Sequence, residues 1–105
     1  MENNKNDILK KLKILKKELA YEGFIIEGIF GSYARGDQNE KSDVDILYHL
    51  NQTFLDKNRG FIGFKKLNDI KKHISKQLGK KIDLAPKNNL SKTGEKYILN
   101  EMVYV

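Results

Sequence analysis

Three carboxylates and one Gly-Ser pair are the residues of this chain best placed to do chemistry. Asp43 and Asp45 stand two apart in an alternating run, Asp43-Val44-Asp45-Ile46. In a strand, alternate side chains share a face, so both carboxylates point the same way. Two like charges side by side repel unless a cation lies between them. An oxygen-seeking divalent ion such as Mg²⁺ suits that role; the plainer alternative is two hydrated aspartates where a strand begins. Asp83 lies in an otherwise apolar run, Ile82-Asp83-Leu84-Ala85. A charge there is costly unless it is paired, ligated or turned to solvent at a strand edge. If its strand lies beside the Asp43/Asp45 strand, Asp83 completes a set of three carboxylates. Such a set can hold two metal ions about 3.5–4 Å apart for phosphoryl transfer.

Gly31-Ser32 supplies a second half. It follows a short apolar strand and opens a polar stretch. Glycine lets backbone approach a ligand closely. Free N–H groups at a helix start favour phosphate, and the Ser32 hydroxyl adds a donor. Serine is also an ordinary N-cap, so the pair alone is weak. The joint pattern is more specific: ten residues separate Ser32 from Asp43, giving Gly-Ser-x10-Asp-x-Asp.

The elements that must position these residues are legible in outline. Residues 7–22 show Ile8, Leu12, Leu15 and Leu19 at helical spacing, with Asp7 as N-cap and Gly23 beyond the end. Residues 24–30 read as a strand, 31–42 as a short helix or turn and then a loop, and 43–50 as a second strand. A loop is expected over 51–60. A second amphipathic helix follows over 61–78, its stripe carried by Phe64, Leu67, Ile70, Ile74 and Leu78. A third strand spans 81–85, with Pro86 after it; a short helix over 91–100 and a terminal strand over 102–105 complete the reading. Helices interleaved with few short strands imply an α+β (α/β-like) fold, a small mixed sheet of three to four strands flanked by helices.

Composition sets limits. The chain of 105 residues fits one domain, 1–105. There is no cysteine, which excludes disulfides and thiolate metal sites. No apolar run is long enough to span a bilayer, and Met1-Glu2-Asn3-Asn4 is not the start of a signal peptide, so a cytoplasmic location is expected. The net charge of +6 raises nucleic-acid binding as a reading. All but Arg35 and Arg59 of the 20 basic residues are lysine, and base and phosphate readout favour arginine. The excess therefore reads as solvated surface, and nucleic acid is not the expected main partner.

Gly31-Ser32-Tyr33-Ala34-Arg35-Gly36, followed by Ser42-Asp43-Val44-Asp45-Ile46, resembles the nucleotidyltransferase signature of the DNA polymerase beta superfamily. The likeness is greatest to the minimal nucleotidyltransferase branch. Gly79-Lys80-Lys81-Ile82-Asp83-Leu84 fills the place of that branch's later aspartate strand. The resemblance implies the nucleotidyltransferase core fold and ATP as substrate, attacked at its α-phosphate. It implies that Asp43, Asp45 and Asp83 are catalytic and ligate two Mg²⁺ ions. Asp83 would serve the ion that activates the incoming hydroxyl. It implies that Gly31 and Ser32 bind the β- and γ-phosphates. Arg35 would either reach the triphosphate or brace an aspartate; Tyr33 would either flank the nucleotide or pack. His49, His73, Asp37 and Lys41 receive no role. A chain this short lacks a substrate domain, so the rest of the site must come from a partner or a second copy. In the minimal branch that partner is a HEPN-domain RNase toxin, silenced by AMP placed on a tyrosine hydroxyl. The rival readings are a module that neutralises its partner by contact alone, and a basic nucleic-acid-binding domain.

Overall fold

The computed structural model describes residues 4–89 and 91–105. Residues 1–3, part of the start read above as no signal peptide, and Leu90 lie outside them. The first helix, α1, spans Lys5–Ala20. It starts earlier than the periodicity suggests, because the Asn4 side chain accepts from the Asp7 N–H at 2.9 Å and is the N-cap. Asp7 sits in the first turn, where its charge suits the helix dipole. Strand β1 is Phe24–Phe30, α2 is the single turn Ser32–Arg35, and β2 is Val44–Leu50. Asp43 therefore lies one residue before its strand.

The expected loop at 51–60 holds a helix instead, α3, Gln52–Lys57. The Asn51 side chain caps it, and Phe54 pins it to the core. Helix α4 spans Phe61–Leu78, as its periodicity indicates, and Gly79 ends it in the left-handed conformation. Ile70, Ile74 and Leu78 are buried, but Phe64 is 74% exposed: the first turns of α4 carry no buried side chain. Strand β3 runs Ile82–Pro86, one residue later than expected, with the proline as its last residue. Proline is tolerated there because β3 is an edge strand. A 3₁₀ turn (Lys87–Asn89), helix α5 (Lys92–Glu101) and strand β4 (Val103–Tyr104) follow.

The sheet order is β3-β2-β1-β4. The β1–β2 and β1–β4 pairs are antiparallel, and β2–β3 is parallel. A parallel pair needs a crossover, supplied here by α3 and α4. The alternation along β2 sends Val44, Ile46 and Tyr48 into the core. There they meet the stripes of α1 and α4, and Phe24 stacks on Tyr48 at 4.6 Å. Asp45 is on the other face. The observed fold is the mixed α+β arrangement expected from the sequence.

Candidate active site

The sheet register decides how the carboxylates meet. Phe30 on β1 is opposite Asp45 on β2, and Asp45 is opposite Asp83 on β3. Three adjacent strands therefore place Gly31 (the residue after Phe30), Asp45 and Asp83 in one row across the sheet end. Neighbouring strands lie about 4.8 Å apart, so the two carboxylates are within easy reach of a shared cation. Asp43 enters from the residue before β2. Asp45 is half-buried and Asp83 exposed. Burial, first, and then the charges of Asp83 and Asp43 push the Asp45 carboxyl above its ordinary value; Arg35 opposes this, and Glu101 adds to it. The row is thus an undercompensated negative centre.

Gly31 is fitted to that centre. Its backbone has φ 75° and ψ −153°, a region essentially restricted to glycine. A Cβ built there would lie 2.1 Å from Asp45 Oδ2. The Gly31 backbone therefore lies against the carboxylate, with no space for a side chain. Its N–H donates to Glu101 Oε1 at 3.0 Å. Ser32 opens α2, so its N–H and that of Tyr33 have no partner within the helix. Among the described residues the Ser32 hydroxyl makes no hydrogen bond to the protein.

Arg35 is tied down rather than free. Its Nε donates to Asp37 at 3.2 Å, and its Nη1 donates to Glu101 Oε2 at 3.2 Å. Those two carboxylates, Asp37 first, raise its already high pKa. Arg35 thus holds Glu101, the acceptor of the Gly31 N–H, and pairs with Asp37 rather than with Asp43, Asp45 or Asp83. Tyr33 is buried and packs in the core, with the Lys80 ammonium 5.9 Å from its ring centroid. Glu101 is the site residue that sequence reasoning missed. It lies 70 residues from Gly31, at the end of α5, and nothing local marks it.

The donor set suits a hard divalent cation. It is all carboxylate, and Asp45 is disfavoured as an anion by burial and then by its like-charged neighbours. Among the described residues no three such groups are gathered into a ready-made cage. The set of three carboxylates that the sequence suggests is therefore not closed here: Asp45 and Asp83 are opposite each other, and Asp43 stands one residue before β2.

The site now has a row of aspartates on a parallel strand pair beside a glycine turn that opens a helix. Comparison with known proteins gives the arrangement a family. The nucleotidyltransferase domain model matches residues 8–105. This chain belongs to the nucleotidyltransferase domain family. It is an enzyme of that class. The "Putative protein adenylyltransferase MJ0128" of Methanocaldococcus jannaschii is 38% identical over 94% of this chain and 92% of its own length. "Protein adenylyltransferase MntA" of Thermococcus cleftensis is 35% identical over 86% of this chain and 84% of its own. The solved "Structure of putative minimal nucleotidyltransferase" superposes with a TM-score of 0.74, covering 97% of this chain and 96% of that one at 20% identity. At that identity the likeness concerns the fold alone. Among the described residues no helix of this nucleotidyltransferase is long and apolar enough to cross a membrane.

Proposed function

We propose that this nucleotidyltransferase moves AMP from ATP to a tyrosine hydroxyl of a partner protein, a HEPN-type RNase toxin, and so acts as its antitoxin. The observation that carries the reading is the row of Gly31, Asp45 and Asp83 across three strands. It sets Ser32 and the first N–H groups of α2 on one side of the carboxylates and leaves the other side for an acceptor. The protein acceptor is supported by the names of the relatives from Methanocaldococcus jannaschii and Thermococcus cleftensis.

Each residue has a task in this reading. The Ser32 hydroxyl and the first N–H groups of α2 bind the β- and γ-phosphates. Gly31 itself, its N–H held by Glu101, permits the close approach. Asp43, Asp45 and Asp83 would hold Mg²⁺, which when bound neutralises phosphate charge and supports displacement at phosphorus. The tyrosine oxygen attacks the α-phosphorus, and a new O–P bond forms. The bond from that phosphorus to the bridging oxygen breaks, and pyrophosphate leaves with the electron pair. The hydroxyl proton passes to the Asp83 carboxylate, the most exposed of the three.

The test is incubation with Mg²⁺ and α-labelled ATP in lysate of the source organism, beside the Asp43→Asn/Asp45→Asn variant. Label on one small protein band, absent with the variant, is the expected result. Label on RNA alone would replace the acceptor. No label on either, with the purified partner still neutralised by the variant, would overturn the reading in favour of neutralisation by contact.

A further inference from the structure

The nucleotide chemistry leaves one charged feature unused. An open cleft of about 560 Å³ runs along the outer edge of the sheet, between α4 and β3. Asp43 and Asp83 line it at the active-site end. Lys71, Lys72 and Lys76 line it from α4, and Lys81 from the residue before β3. Gly31, Ser32 and Asp45 are not in its lining. Among the described residues none of these four lysines takes part in an ion pair. Like charges one turn apart on a helix repel, so such a cluster leaves a positive field over the cleft.

Its position follows from the sheet. Moving outward from Gly31 at the end of β1, one meets Asp45 on β2, Asp83 on β3, and then the cleft. In phosphoryl transfer the attacking and leaving oxygens lie roughly in line on either side of phosphorus. With pyrophosphate leaving towards Ser32, the attacking hydroxyl arrives from the Asp83 side, where this cleft opens.

We propose that the cleft is the acceptor groove, and that it takes an acidic protein segment carrying a neutral hydroxyl side chain. This rests on the transfer reaction proposed above and names the chemistry of its acceptor. The hydroxyl sits over Asp43 and Asp83, which repel any anion placed on them. The flanking acidic side chains of the segment lie on Lys71, Lys72, Lys76 and Lys81. A nucleic acid fits less well. Its unbroken row of phosphates would have to cross the two aspartates, and the lining offers neither arginine for bidentate contact nor an aromatic ring for base stacking.

The test uses a fluorescein-labelled heptapeptide of tyrosine flanked on each side by three glutamates. Its binding to the full chain is followed by anisotropy at low salt and at about 150 mM salt. The Lys71→Gln/Lys72→Gln/Lys76→Gln variant is expected to bind it about tenfold more weakly, a loss of about 1.4 kcal/mol. The control, Lys10→Gln/Lys11→Gln/Lys13→Gln, removes the same charge from the exposed lysine face of α1 and is expected to bind it like the native chain. Equal binding by native chain and cleft variant, or equal loss in both variants, overturns the proposal. So does a labelled RNA decamer that binds more tightly than the peptide through the same lysines. Labelled ATP is supplied in parallel, and AMP on the peptide tyrosine is scored separately. Lysine-dependent binding of the peptide, with no AMP transferred to it or to any lysate protein, supports the groove's preference for acidic segments and counts against the reaction alone.

Discussion

Replacing Gly31 by alanine should damage the site by a mechanism that can be isolated. Two penalties fall on the substitution. The first is conformational: φ 75° with ψ −153° costs a residue with a Cβ of order 1–3 kcal/mol. The second is steric. The new methyl would lie 2.1 Å from Asp45 Oδ2, so either the carboxylate or the turn must move by an ångström or more. A displacement of about 1 Å in a reacting group can cost about 100-fold in rate. Gly36 separates the two effects. It also has a positive φ, 82°, but nothing lies within 4 Å of a Cβ placed there. Gly36→Ala should pay only the left-handed backbone cost, roughly 1–2 kcal/mol. At about 4–8 °C per kcal/mol for a domain of this size, both variants should melt below the native chain. Only Gly31→Ala should also lose AMP transfer by two orders of magnitude, together with the rise in melting temperature that Mg-ATP gives the native chain. Equal retention of that rise and of transfer by both variants would refute the role given to Gly31.

Other expectations follow from particular contacts. Glu101→Ala removes the acceptor for the Gly31 N–H and one anchor of Arg35, and should cost about 1.5–3 kcal/mol in urea denaturation. The hydrogen bond and charge of Lys66, 2.6 Å away, hold the Glu22 carboxyl below its ordinary value. Its stabilising effect is therefore present above the unfolded-state pKa and lost as pH falls through the lower, folded one. Because the pair is partly exposed, Glu22→Gln should cost under about 1 kcal/mol at neutral pH and nothing in strong acid, read from melts across pH. Ile74→Ala, in the core, should cost about 2–5 kcal/mol, whereas Phe64→Ser should stay within about 0.5 kcal/mol despite the larger side chain lost.

The contrast between Ile74 and Phe64 shows what the sequence could and could not reveal. Periodicity located α4 because Ile70, Ile74 and Leu78 recur on one face and Gly79 stops the helix. The same pattern extended to Phe64 overreached, since periodicity records which face is apolar and not how far the sheet extends beneath it. Helix α3 was illegible because a helix of under two turns with one buried residue, Phe54, has no period to read. The Gly-Ser turn and both strand aspartates were legible because each is local, and the Asp45–Asp83 adjacency required only that their strands pair. Glu101 required knowing where α5 docks, which depends on tertiary packing and not on any neighbour in sequence.

The parallel β2–β3 pairing has a dynamic consequence. Asp45 and Asp83 are opposite each other yet 38 residues apart in the chain. Their adjacency is made by a non-local pairing, the kind that costs loop entropy and closes late in folding. It also hangs on a five-residue strand at the sheet edge, where local opening takes least free energy. Gly31, Asp45 and β1, by contrast, belong to the antiparallel centre. The two halves of the site therefore lie in units of different stability. Amide hydrogens of β3 should exchange well before those of β1 and β2, and each such opening would part the carboxylates while the phosphate-facing turn stays folded.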